Sequence, residues 1–159
     1  MEIRSYADYL RSLDDAALIA LFESRSDLTS PVPSDIASLA VRSSSIPSLV
    51  RAVDSLNKWQ LQVLEAAAVL PEPFSEKELL QHTDKSAKFV FAALVNRALI
   101  YLGHDGYRLP GNLREVLGNE IAGLGTPALK KLRLKDLADA PAASKKVLDA
   151  MVWGPPRGA

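Results

Sequence analysis

The sequence contains no cysteine, which removes a disulfide framework, a thiolate nucleophile and a cysteine-based zinc site together. That absence fits a reducing cytoplasm. Histidine is nearly missing too, with only His82 and His104 present. There is no excess of one charge: 19 Lys and Arg balance 19 Asp and Glu, so the total announces no nucleic-acid partner. No apolar run approaches the ~20 residues needed to span a bilayer. The opening MEIRSYADYL lacks the basic stretch and apolar core of a signal peptide. A soluble, cytoplasmic protein with no membrane partner is expected. P-loop, GxGxxG, HExxH and GxSxG motifs are all missing, so neither a cofactor nor a catalytic residue is expected in these residues. ATPase activity elsewhere in a longer protein is left open.

What the chain does have is apolar material. Of its 159 residues, 48% are hydrophobic, and a chain this long can bury roughly 70% of its unfolded surface. Charge is unevenly placed. Residues 1–30 carry six acids (Glu2, Asp8, Asp14, Asp15, Glu23, Asp27) against three bases (Arg4, Arg11, Arg25). Residues 127–146 carry Lys130, Lys131, Arg133, Lys135, Lys145 and Lys146 against Asp136 and Asp139. The early acids would repel a phosphate backbone.

Periodicity predicts a mainly α fold in three parts. Residues 1–53 read as an N-terminal helical segment. Leu10, Leu13, Leu18, Leu21 and Phe22 form its apolar stripe, and Asp14 is placed to cap a helix over 15–24. Prolines at 31 and 33 mark a loop. Ser34 is the expected cap of the next helix, and Pro47 suits the first turn of another.

Residues 54–118 carry the clearest signal, that of a winged helix-turn-helix with one small β-hairpin. Trp59 to Leu70 predicts a strong helix stopped by Pro71. Ser75 and Glu78 make a capping box, with Phe74 and Leu79 placed as a hydrophobic staple. Asp84 is placed to cap a third helix, with Phe89, Val90, Ala93, Leu94 and Leu99 on its buried face. Asp105-Gly106 between two β-prone runs predicts a tight hairpin.

Residues 119–159 read as a basic helical linker and the possible start of a second winged helix. Val147 to Pro155 echoes Val63 to Pro71 at a shift of 84 residues. Such short apolar helices also resemble one another by chance. The ending Pro155-Pro156-Arg157-Gly158-Ala159 reads as the boundary of a fragment.

Candidate functional residues lie on the third helix and the wing. A recognition helix enters the major groove with its early residues near the bases, which singles out Lys85, Ser86 and Lys88, with Asn96 and Arg97 near its end. Arg108, His104 and Tyr107 on the hairpin are within reach of a phosphate, and the run from Lys130 and Lys131 to Lys135 reads equally as a track for a phosphate backbone or as a solvated helix face between two domains. An ordinary solvated helix would also carry two lysines. Asp84 and the run Phe89-Val90-Phe91 argue the other way, because three adjacent apolar residues cannot all face a core; Phe91 is the expected mark of a protein interface. His82 and His104 read as exposed residues rather than a metal pair. Asp14, Asp15 and Asp54 read as caps or solvated carboxylates rather than acid–base catalysts. Trp59 and Trp153 read as core packing ahead of stacking platforms.

Three stretches together carry a resemblance. They are Leu-Asp-Asp-Ala-Ala-Leu-Ile-Ala-Leu-Phe-Glu-Ser-Arg-Ser-Asp-Leu at residues 13–28, Asp-Ser-Leu-Asn-Lys-Trp-Gln-Leu-Gln-Val-Leu-Glu-Ala at 54–66, and Gly-Pro-Pro-Arg-Gly at 154–158. The combination resembles the N-terminal region of actinobacterial helicase-associated proteins, whose later part is similar to a conserved region of XPB-type helicases. The resemblance implies a DNA-transaction role for the full-length protein and supplies no catalytic residue. The leading expectation is therefore a non-catalytic DNA-binding or DNA-positioning accessory region, meeting duplex or forked DNA. The alternative is a protein–protein interaction module built on the winged helix.

Overall fold

Most of the described helices begin at a side chain that satisfies the free backbone N–H groups of a first turn. The computed structural model describes residues 5–118 and Ile121, which fall within one compact unit of residues 1–128. Among the described residues there are eight α-helices and one two-stranded sheet. Helix α1 (Tyr6–Ser12) is capped by Ser5, and α2 (Asp15–Ser24) by Asp14, whose carboxylate accepts from the Ala17 N–H at 2.8 Å. A 3-10 turn (Ser26–Leu28) leads into the proline loop. Helix α3 (Ile36–Ser43) is capped by Asp35 and not by the expected Ser34; the carboxylate accepts from Ser38 N–H at 2.7 Å. Helix α4 (Ile46–Asp54) carries Pro47 in its first turn.

Helices α5 (Lys58–Val69) and α6 (Glu76–Gln81) both open with complete capping boxes, Asn57 with Gln60 and Ser75 with Glu78. Asp84 does not cap α7 (Ala87–Asn96) as expected: the N-cap is Ser86, which makes no side-chain cap bond, and Asp84 instead closes the turn before it by accepting from the Ser86 N–H at 2.8 Å. Strands β1 (Tyr101–Leu102) and β2 (Tyr107–Arg108) pair antiparallel, with Tyr101 opposite Arg108. Gly106 between them has φ +147°, and a Cβ there would lie 3.0 Å from the Phe74 carbonyl oxygen. That contact exists because Phe74 and Tyr107 exchange two backbone bonds, of 3.0 and 2.7 Å, tying the hairpin to the start of α6. Helix α8 (Leu113–Leu117) closes the described chain. Its Arg114 donates to the Ala68 and Leu70 carbonyls at the end of α5 and pairs with Glu72 at 2.6 Å.

Two hydrophobic cores form, and both draw on each side of residue 54. The larger gathers Leu49 and Ala52 of α4, Val63, Leu64 and Ala67 of α5, Leu79 of α6, and Phe91 and Leu94 of α7, with Leu99, Ile100 and Leu109 from around the hairpin. The smaller gathers Tyr9, Leu10, Leu21, Leu28 and Leu39 with Ala98 and Tyr101. Tyr6, Tyr9 and Tyr101 form an aromatic cluster with ring centroids 5.2–6.4 Å apart.

The joint between the cores is polar. The Arg25 side chain is fully buried, and its guanidinium meets both Asp27 carboxylate oxygens at 2.8 Å. It also donates to Ser48 Oγ at 3.0 Å and to the Ser43 and Arg97 carbonyls at 3.3 Å each. The Ser48 hydroxyl in turn donates to Asp27. Two tyrosines do similar work: Tyr6 donates to the Ala98 carbonyl at 3.1 Å and Tyr9 to that of Val95 at 3.3 Å. Burial pushes the Tyr9 hydroxyl up to about 12 and raises that of Tyr6, so both stay protonated donors. The end of α7 is therefore capped by three side chains from the first 25 residues. A cation there also complements the helix dipole.

Truncating Arg25 leaves the Asp27 carboxylate with the Ser48 hydroxyl but no counter-charge and removes the donor to two carbonyls, and breaking a buried pair costs about 3–5 kcal/mol. Arg25→Ala is expected to lower the urea midpoint accordingly; a loss under about 1 kcal/mol, the range of an exposed pair, would show that the network is solvated. Burial alone would raise the Asp27 pKa, but hydrogen bonds from Arg25 and Ser48 hold it below the usual 3.8. Its contribution is thus present above pH 3.8 and lost as pH falls through the lower folded value. Urea titrations between pH 5 and 2 are expected to show that loss, and Asp27→Asn to flatten it.

Candidate functional site

Helix α7 is the element to which the candidate residues belong, and its phase decides which of them are presented. Ala87, Phe91 and Leu94 are buried, with Ala98 continuing the same stripe. This 4-3-4 spacing is the periodicity of one helical face. The opposite face carries Lys88, Phe89, Ala92 and Asn96, all exposed, and Lys85 and Ser86 are exposed just ahead of the helix.

This reverses one expectation. Phe89, expected on the buried face, is 83% exposed, while Phe91, expected to mark an interface, is 3% exposed. Phe91 packs edge-on against Tyr107, centroids 4.7 Å apart at 84°, so its ring belongs to the core and only borders the groove beside α7. Trp59 also differs from expectation: it sits at the open end of α5 and is 37% exposed rather than in the core.

Between α7, α6 and the hairpin lies a groove of about 310 Å³, with Phe89, Phe91, Ala92 and Val95 as its apolar lining and Glu76, Lys88, Asn96 and Tyr107 as its polar lining. Its floor is apolar, and Glu76 and Lys88 bring opposite charges to its lining. Neither forms an ion pair with any described residue.

The other candidates disperse. Lys85, Ser86 and Lys88 gather at the front of α7, but Arg97 lies about 14 Å farther along at 1.5 Å per residue. There its side chain donates to Ser55 Oγ at 2.9 Å. Arg108 is held by both Asp105 oxygens at 3.0 Å, with His104 exposed at the same turn. That bond, foremost, holds the Asp105 carboxyl below its usual range and so keeps the pair ionised. The hairpin tip thus neutralises much of its own charge. Lys130 and Lys131, with the proposed repeat and Trp153, lie outside the described residues.

The local field is balanced. Residues 76–88 hold Lys77, Lys85 and Lys88 against Glu76, Glu78 and Asp84. Helix α2 packs on α7 and brings Glu23 into the same cleft as Asn96 and Arg97. A phosphate backbone laid along the whole of α7 would meet that carboxylate. Among the described residues no group of three or more His, Asp or Glu is arranged to hold a metal, and no helix is long and apolar enough to cross a membrane.

The two phenylalanines should separate cleanly in stability. Phe91→Ala removes a buried ring and is expected to cost about 3–5 kcal/mol, whereas Phe89→Ala should stay within about 0.5 kcal/mol. Chemical unfolding of both variants checks the phase of α7.

Comparison of the chain with protein-family models, with curated proteins and with solved structures returned no match.

Proposed function

We propose that residues 58–109 are a winged helix, with α7 in the recognition position and the hairpin as its wing, and that it works as a non-catalytic protein-docking module. The observation that carries this reading is Phe89, 83% exposed on the face of α7 opposite its buried stripe. Burying such a side chain against a partner contributes roughly 1.5–3 kcal/mol, and aromatic anchors in desolvated pockets are what dominate protein interfaces. The groove beside it has an apolar floor with one carboxylate and one ammonium on its lining, neither paired with a described residue. A partner side chain of either charge can be satisfied there, whereas a phosphate backbone needs a positive field that three acids and three bases do not make. The resemblance to helicase-associated proteins supports a setting within a larger DNA-transaction protein.

A second reading, binding of duplex or forked DNA, is favoured by Lys85, Ser86 and Lys88 gathering at the front of α7, where a recognition helix meets the bases. The two readings differ in what abolishes binding. Under the first, the tagged full chain purified from its own cells holds a stoichiometric protein that Phe89→Asp releases and Phe89→Leu retains. Under the second, it shifts duplex or forked DNA with steep salt dependence, and Lys85→Glu with Lys88→Glu removes the shift. DNA binding that Phe89→Asp leaves intact, with no protein retained, would overturn the docking module.

A further inference from the structure

On another side of the α6–α7 turn lies a hollow of about 570 Å³, lined by Trp59, Gln62, Glu65, Ala66, His82 and Asp84 among others. We infer that this hollow receives an arginine side chain from a partner protein. The indole of Trp59 is 37% exposed and lines the space, and tryptophan is the best of the aromatic faces for a cation. Two carboxylates, Glu65 and Asp84, line it as well, and neither pairs with a described cation. The neighbouring Lys85 does not line it.

Asp84 cannot easily be neutralised by protonation. The Ser86 N–H, donating at 2.8 Å, is the main cause holding its pKa below the usual range. That bond uses only one carboxylate oxygen. Ala66 offers an apolar contact for the methylene stem of an incoming side chain, and Gln62 offers an amide oxygen. An anionic ligand would face two like charges, and a neutral one would gain no attraction from them. A guanidinium suits the hollow better than an ammonium, because its plane stacks on an aromatic face while its edge donates to carboxylates. His82 and Thr83 complete the lining; the Thr83 hydroxyl is already committed to the Leu79 carbonyl at 3.0 Å.

The inference is independent of the α7 groove and is tested without it. The chain has two tryptophans, so the full chain carrying Trp153→Phe reports Trp59 fluorescence alone. It is titrated with an acetylated Gly-Arg-Gly amide and with the same peptide bearing citrulline, which keeps the shape and loses the charge. Saturable quenching is expected with the arginine peptide only. Glu65→Gln and Asp84→Asn should each weaken it about three- to fivefold, as for a partly solvated charge pair; circular dichroism verifies that both variants are folded. Phe89→Asp should leave the titration unchanged, which keeps it separate from the docking reading. An equal response to citrulline, no saturable response to arginine, or insensitivity to both carboxylate variants would overturn the assignment.

Discussion

A guanidinium without water around it must find its partners inside the protein, and here the burial of Arg25 dictates much of the arrangement. Isolated, the charge would be strongly unfavourable. Its partners come from four places: Asp27 two residues on, Ser43 at the end of α3, Ser48 in α4 and the Arg97 carbonyl after α7. These can meet only if the N-terminal helices lie against the end of α7. Tyr6 and Tyr9 reach the same helix end, and their rings meet Tyr101 of β1. Arg114 repeats the device at the end of α5. In both cases a distant cation satisfies carbonyls that a helix leaves open.

Anchoring one end of α7 has a consequence for the other. With α5, α6 and α2 packed around the helix, and Phe91 held by Tyr107, its rotation is set and Phe89 points away from the core. The exposed apolar ring is thus a product of tight packing elsewhere, not of a loose helix. The same packing brings Glu23 near Arg97, which limits how much of α7 a polyanion can use. Fold and electrostatics together favour a short apolar anchor over an extended basic track.

Local chemistry was readable from the residues. The Ser75–Glu78 box, the Asp14 cap, the Asp-Gly hairpin and the proline breaks depend on neighbours within a few positions, and each appears where its spacing places it. The phase of α7 was legible in principle, since Ala87, Phe91, Leu94 and Ala98 have helical spacing, but Phe89 and Val90 offered a competing stripe. The aromatic partner that decided between them, Tyr107, lies 16 residues beyond Phe91. Arg25 was opaque for the same reason. Beside Asp27 it looks like an ordinary surface ion pair, and only the approach of α4 and α7 closes water out. Trp59, on an apolar helix, gave no sign that it would line an open hollow together with two carboxylates.

The central claim is that the N-terminal helices and α5–α7 are one cooperative body because they share Arg25 and the end of α7. Native-state hydrogen exchange tests it most directly. The account predicts that the slowest amides of α1–α3 and of α5–α7 open with the same free energy. It also predicts that Arg25→Met lowers both together. Opening of α1–α3 at a much lower free energy, with α5–α7 still protected, would contradict it.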